Sequence, residues 1–187
     1  MTIPLTDLKK QYQSIKKEVD LAIEQVVTNT NFILGKEVEE FEKEMADYLN
    51  TKFAIGVASG TDALVLAIRT LDISEGDEVI TTPFTFIATT EAIVRASAKP
   101  VFCDIDERTY NIDTNKIEEK ITSKTKAILP VHLYGLSCEM DKILSLAQKY
   151  NLKVIEDAAQ SFGAKYKDKK SALLVIWDVL AFSLQKI

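Results

Sequence analysis

From residue 53 to residue 155 short apolar runs alternate with helical patterns, and this alternation constrains the fold more than any other feature. The runs are Phe53–Val57, Glu78–Thr82, Pro100–Cys103, Ala127–Val131 and Lys153–Ile155. Between them, apolar residues at three- and four-residue spacing predict helices over Thr61–Leu71, Ile87–Ser97, Thr114–Ile121 (Asp113 its N-cap) and Met140–Tyr150. A strand and a helix recur about every 25 to 30 residues, the pattern of βαβ crossovers and a mostly parallel sheet. Runs such as AILPV are apolar throughout, as strands covered by helices on both faces must be. Two amphipathic helices precede this region. One covers Leu8–Val27, with Ile15, Val19, Ile23 and Val26 or Val27 on one face. The other follows Gly35 and is faced by Val38, Phe41, Met45 and Leu49. The expected fold class is α/β.

Composition narrows the function. The 187 residues are 47% hydrophobic and carry a formal net charge of −5. Chains of this size bury roughly 70% of their unfolded surface, so a real core is available. The acidic balance argues against nucleic acid or an anionic membrane as partner. No stretch reaches the roughly 20 apolar residues of a membrane helix. The N-terminus, MTIPLTDLKKQYQSIKKEVD, lacks the apolar run of a signal peptide, so a cytoplasmic protein is expected. One histidine, His132, and two cysteines, Cys103 and Cys138, cannot build a His/Cys zinc cage or a disulfide framework.

In a parallel sheet, ligands bind beyond the carboxyl ends of the strands. The segments after the apolar runs are Ala58–Asp62, Thr82–Phe86, Asp104–Asp106, His132–Gly135 and Glu156–Gln160, and parallel strands bring them to one rim. In ASGTDALVLAI, Gly60 permits close backbone approach, and the amides of a helix start together with the Thr61 hydroxyl attract an anion. An ordinary helix cap explains the same residues. In VIEDAAQ, Asp157 suits a protonated heteroaromatic nitrogen and Gln160 a second contact to the same ligand; a capping aspartate is the alternative. Phe86 offers a flat face for ring stacking, or else belongs to the core. Together these residues describe a site for a phosphorylated aromatic cation, and pyridoxal phosphate is that molecule. Rival signals are weaker. No G-x-G-x-x-G follows a strand, and neither a P-loop nor a G-x-S-x-G elbow is present. Asp104 and Asp106 read as a metal pair or as turn caps. His132 reads as a base, a ring contact or a satisfied structural histidine.

The chain resembles the N-terminal half of a DegT/StrS-type sugar aminotransferase, a group of fold-type I pyridoxal-phosphate enzymes. The matching segments, in family order from residue 3 to about residue 167, are IPLTDLKKQY, FILGKEVEEFE, SGTDAL, GDEVITTPFTFIAT, KPVFCDID, TYNID, ITSKTKAILPVHLYG and IEDAAQSFGAKYK. The resemblance implies a pyridoxal-phosphate-binding large domain in which helices flank a mostly parallel sheet. It implies that Gly60 and Thr61 hold the cofactor phosphate, that Phe86 stacks on the ring, that Asp157 pairs with the pyridine nitrogen and that Gln160 contacts the ring hydroxyl. It further implies transamination of a nucleotide-linked keto sugar, with glutamate as donor, for surface polysaccharide. The expected assembly is a cytoplasmic homodimer whose active sites are completed by the partner.

The expected Schiff-base lysine is not found in frame. The family carries it in a motif like GSxGDxxxFSFxPxKN, whereas this chain reads SALLVIWDVLAFSLQKI. Lys186 follows Ser183 by three residues where the family has five, so no catalytic residue is assigned. Reading each codon's third base with the next codon's first two lets the tail from Lys170 spell VGSVGDLGCFSFFPSKN. The codons of Trp177 and Asp178 force a glycine in that frame, and those of Gln185 and Lys186 allow only lysine or glutamate. Residues 1–170 are therefore expected to be the N-terminal part of the large domain, 171–187 an aberrant, frame-shifted tail, and the C-terminal small domain missing. Two other readings stand beside the aminotransferase: an inactive truncated remnant, and a sugar dehydratase of the same superfamily with histidine replacing the lysine.

Overall fold

The computed structural model describes residues 6–170. The tail 171–187, with Lys186, lies outside the described residues. The described chain divides after Gly56 into two compact units.

The first unit is built on two helices where the apolar spacing predicts them. Helix α1 (Leu8–Asn29) begins where the Asp7 carboxylate accepts the Lys10 amide at 3.0 Å, and ends at Thr30 in the left-handed conformation. Helix α2 (Lys36–Leu49) begins at Gly35, where a Cβ would fall 2.8 Å from the Asn31 carbonyl oxygen, so a side chain there has no room. Ala46 and Leu49 are its buried residues. The strand expected over Phe53–Val57 does not form. Its backbone groups are engaged by side chains instead: the Gly56 amide donates to Glu42 Oε1 at 2.6 Å, and the Thr51 hydroxyl donates to the Phe53 carbonyl at 3.2 Å. A strand is defined by its ladder, and apolar alternation without a neighbouring strand leaves an extended segment with Phe53 and Ile55 exposed.

From Val57 the chain is layered. Helix α3 (Gly60–Thr70) is followed by strand β1 (Glu78–Thr81), helix α4 (Ile87–Arg95), strand β2 (Lys99–Phe102), strand β3 (Thr125–Ile128), helix α5 (Met140–Tyr150) and strand β4 (Lys153–Val154). The four strands lie in the order β2-β1-β3-β4, and every pair is parallel. Strand side chains alternate between two cores. Val79, Ala127, Leu129 and Ile155 join Leu64, Ile68, Ala92 and Ile93 of α3 and α4. Ile80, Ile128 and Val154 join Cys138 with Met140 and Ile143 of α5. Enclosing each large aliphatic side chain contributes about 1.5–3 kcal/mol. Ala127, Ile128, Leu129 and Val131 are all buried, as the apolar run AILPV requires.

The helix expected over Thr114–Ile121 is reduced to one 3-10 turn, Glu118–Lys120. Asp113 Oδ1 accepts the Asn115 amide at 3.0 Å, so the cap exists, but it closes a local turn rather than a helix. Asp, Thr and Asn in succession offer the backbone such side-chain partners in place of helical ones. Strands β5 (Lys165–Tyr166) and β6 (Lys169–Lys170) close the described chain as a small antiparallel hairpin. Its two loop residues, Lys167 and Asp168, both have positive φ, as a two-residue hairpin turn demands. Among the described residues no helix is long and apolar enough to cross a membrane.

Candidate functional site

Parallel strands deliver the segments that follow them to one rim of the sheet, and the chemistry of that rim is organised around Asp157. Its backbone continues the sheet past the end of β4. Ile155 donates to the Ile128 carbonyl, Asp157 to Pro130 and His132 back to Asp157, each at 3.0 Å, so Val131 and Asp157 form a parallel bridge. Asp157 is only 5% exposed. Oδ2 accepts the Thr89 hydroxyl of α4 at 2.9 Å, and Oδ1 accepts the Ala159 amide at 3.2 Å. Burial pushes the carboxyl above the usual aspartate range, and the Thr89 and Ala159 hydrogen bonds pull it back.

Glu156, one residue earlier, serves the other side of the sheet. His132 Nε2 lies 2.8 Å from Glu156 Oε2, and His132 Nδ1 accepts the Cys138 amide at 3.1 Å. A nitrogen that accepts carries no proton, so the proton resides on Nε2 and is donated to Glu156. His132 is a satisfied structural histidine, one of the readings its sequence left open. Asp104 and Asp106 act as turn caps. Asp106 Oδ1 gathers the Arg108 and Thr109 amides at 3.0 Å each, and these hydrogen bonds hold its carboxyl below the usual range.

Phe86 precedes α4 and is 71% exposed, which removes the core-aromatic alternative. Its carbonyl accepts the Thr89 amide at 3.1 Å, so the residue carrying the aromatic face also begins the turn that presents Thr89 to Asp157. Gln160 is exposed, and its Oε1 accepts the Tyr134 amide at 3.1 Å. Its NH2 is left as the donor end of the amide. Gln160, Ala159, Phe162 and Tyr134 line a shallow depression on this rim. Tyr134 sits in the left-handed region, with φ 54°, in the turn after His132. Gly60, buried, and Thr61 open α3, where the Ser59 hydroxyl accepts the Asp62 amide at 3.1 Å. Phe86 and Asp157 are thus joined through Thr89, and Gln160 is joined separately to Tyr134. Gly60 and Thr61 belong to a separate helix start whose cap is satisfied from within.

Thr89 lies outside the rim segments of the sequence, and Thr85 and Tyr134 lie within them with no role assigned. The signal for Thr89 was slight: a hydroxyl among the apolar positions of a short helix, three residues after Phe86. The donor set nevertheless fits a phosphorylated aromatic cation in kind. It provides a buried carboxylate with both oxygens pinned, an amide donor three residues on, an exposed aromatic face and a helix N-terminus with a hydroxyl in its first turn.

A parallel α/β sheet flanked by helices, with its polar residues on the carboxyl rim, is the large-domain architecture of pyridoxal-phosphate aminotransferases. The chain belongs to the DegT/DnrJ/EryC1/StrS aminotransferase family, whose model matches residues 13–186. Aminotransferases of this family depend on pyridoxal phosphate. The chain is 52% identical over 168 residues to a dTDP-3-amino-3,6-dideoxy-alpha-D-galactopyranose transaminase of Aneurinibacillus thermoaerophilus, covering 90% of this chain and 46% of that protein. It is 49% identical over 172 residues to a UDP-2-acetamido-2-deoxy-3-oxo-D-glucuronate aminotransferase of Pseudomonas aeruginosa, covering 92% and 48%. The crystal structure of S. venezuelae DesV in complex with a ketimine intermediate matches with a TM-score of 0.88 and 42% identity, over 91% of this chain and 46% of that one. The chain spans about half the length of the curated relatives it matches.

Proposed function

We propose that this chain carries the cofactor-holding part of an aminotransferase that uses pyridoxal phosphate to aminate a nucleotide-linked keto sugar. Glutamate is the proposed donor, and surface polysaccharide the proposed destination. The relatives reported above are named for amino sugars linked to UDP or dTDP, which supports the substrate class. The observation that carries the reading is Asp157: a buried carboxylate on the rim of a parallel sheet, fixed by Thr89 and Ala159. Pyridoxal phosphate, when bound, supplies an electron-poor ring that draws electron density from the carbon beside the reacting nitrogen. The chain's own residues would secure that property. Asp157 keeps a proton on the ring nitrogen by opposing its charge. Gln160, its Oε1 held by Tyr134, would offer its NH2 to the ring hydroxyl, and Phe86 would cover a ring face and exclude water. Gly60 and Thr61 offer the α3 N-terminus and a hydroxyl to the phosphate. A cytoplasmic homodimer is part of the same proposal.

Titrating the purified chain with pyridoxamine 5′-phosphate, followed by the ligand's fluorescence, tests this reading. Saturable binding that Asp157→Ala reduces at least tenfold is expected; equal binding by both proteins refutes it. The frame shift proposed for residues 171–187 is checked by sequencing the gene across codon 170. An uninterrupted frame whose shifted reading lacks the family motif overturns that part.

A further inference from the structure

Asp157 is served by a chain of two hydroxyls. Its Oδ2 accepts from Thr89 Oγ1 at 2.9 Å, and Thr89 Oγ1 lies 3.0 Å from Thr85 Oγ1. An ionised carboxylate only accepts, so the single Thr89 hydroxyl proton points to Asp157. Thr85 must then donate to Thr89, and hydrogen bonds aligned head to tail in this way strengthen one another. Thr89 and Asp157 are both buried, at 1% and 5% exposure, so water does not substitute for a missing hydroxyl. The other oxygen is held by the Ala159 amide, which leaves Thr89 as the side chain that sets the carboxylate's rotation about its last bond.

We propose that Thr89, with Thr85 behind it, is a positioning residue: its hydroxyl holds the buried Asp157 carboxylate ionised and in one orientation, ready for the protonated ring nitrogen of a pyridine cofactor. This rests on the cofactor reading of Asp157 given above. The titratable groups around Asp157 are His132, whose backbone amide bonds the Asp157 carbonyl, and Glu156, which His132 engages through Nε2. Neither lies in the hydroxyl chain, so a change at Thr89 alters one donor to Asp157 and leaves the His132–Glu156 pair intact. Burial already lifts the Asp157 carboxyl, and the Thr89 hydrogen bond is the larger of the two that oppose the lift. Removing it raises the carboxyl further. Binding of a protonated ring then fails at a higher pH than in the native chain.

The test compares the native chain with Thr89→Val, which keeps shape and loses the donor, and Thr89→Ser, which keeps the donor. Two measurements are made on each. The first is the Asp157 carboxyl titration by 13C NMR without ligand. The second is pyridoxamine 5′-phosphate affinity as a function of pH. Thr89→Val is expected to move the Asp157 titration and the acid limb of binding together to higher pH, and to weaken binding about tenfold at neutral pH. Thr89→Ser is expected to restore both. A purely structural role predicts weaker binding at every pH with an unmoved acid limb, and that result overturns the proposal. An Asp157 titration that ignores Thr89→Val overturns it too, whatever the ligand does. If the titration moves while the native chain fails to bind the probe, the cofactor reading fails and takes with it the proposed service to a cofactor; the failing measurement shows which of the two premises was wrong.

Discussion

Replacing His132 by alanine removes the ring that joins three segments of the second unit, and the loss can be sized from its contacts. Nε2 ceases to donate to Glu156, 2.8 Å away, and Nδ1 ceases to accept the Cys138 amide, 3.1 Å away. Both partners are buried, with Glu156 only 2% exposed. Leaving a buried polar group without its partner costs about 1–3 kcal/mol, so two such losses come to about 2–6 kcal/mol before the emptied ring volume is counted. For a chain of this size each kcal/mol lowers the Tm by about 2–4 °C, and His132→Ala should melt about 4–24 °C below the native protein. Glu156→Gln keeps an oxygen acceptor for Nε2–H and should stay within about 1.5 kcal/mol of native. Urea unfolding followed by far-UV circular dichroism measures both, and suits a chain whose single tryptophan, Trp177, lies outside the described residues. The reasoning is wrong if His132→Ala unfolds within about 1 kcal/mol of native, or if Glu156→Gln is as damaging as His132→Ala. The second result would show that charge, rather than hydrogen-bond direction, holds the pair.

Asp157→Asn separates stability from function. Burial raises the native carboxyl above its value of 3.8 in the unfolded chain, so the folded state binds the proton more tightly, and Asp157 costs stability as pH rises from 3.8 through the raised value. Asparagine still accepts the Thr89 hydroxyl, so the variant should equal or exceed native stability at neutral pH while losing pyridoxamine phosphate binding; thermal melts at pH 4 and pH 7.5 check the sign. Asn111, buried, accepts the Leu133 amide at 3.0 Å and donates to the Leu136 carbonyl at 2.9 Å, which fixes the turn carrying Tyr134. Asn111→Leu should destabilise by about 2–4 kcal/mol in urea unfolding and speed hydrogen exchange at the Tyr134 amide. Burial lifts the thiols of Cys103 and Cys138 to about 11 and about 12, so neither should react with a disulfide reagent at pH 8 until denaturant is added. Rapid modification of the native chain would contradict their placement.

The layered fold was legible because its signals are dense and local. Unbroken apolar runs such as Ala127–Val131 have one stable environment, a strand covered on both faces, and α5 follows its apolar spacing residue for residue. The two errors arose where a local pattern needed a partner. Phe53, Ile55 and Val57 alternate as a strand should, but pairing is settled by the neighbouring strand and not by the segment itself. Around Thr114, side-chain capping outweighed a helical spacing that had too few apolar anchors. At the candidate site, the residues whose chemistry is written in their type stood out: a carboxylate pair, an amide, an aromatic in a threonine-rich loop. Thr89 did not, because a threonine becomes informative only when the fold brings it to a carboxylate 68 residues away. Tyr134 contributes through its backbone amide, which no residue type announces.

The two adjacent acids, Glu156 and Asp157, also measure the alignment of the sheet. Side chains change face at every step along a strand, and here Val154 faces α5, Ile155 faces α3 and α4, Glu156 meets His132 and Asp157 meets Thr89. If β4 slid by a single residue against β3, one direction would bring Ile155 to His132 and Glu156 to Thr89, and the other would bring Asp157 to His132 and Ala158 to Thr89. Either slide leaves one of the two partners, His132 or Thr89, facing an apolar side chain. Each acid therefore works as a proofreader for the other: only one alignment satisfies His132 and Thr89 together. A pairing error during folding would be marked by a carboxylate at the wrong partner and a polar group facing an aliphatic side chain, which makes the correct register self-selecting at the place where the chemistry needs it.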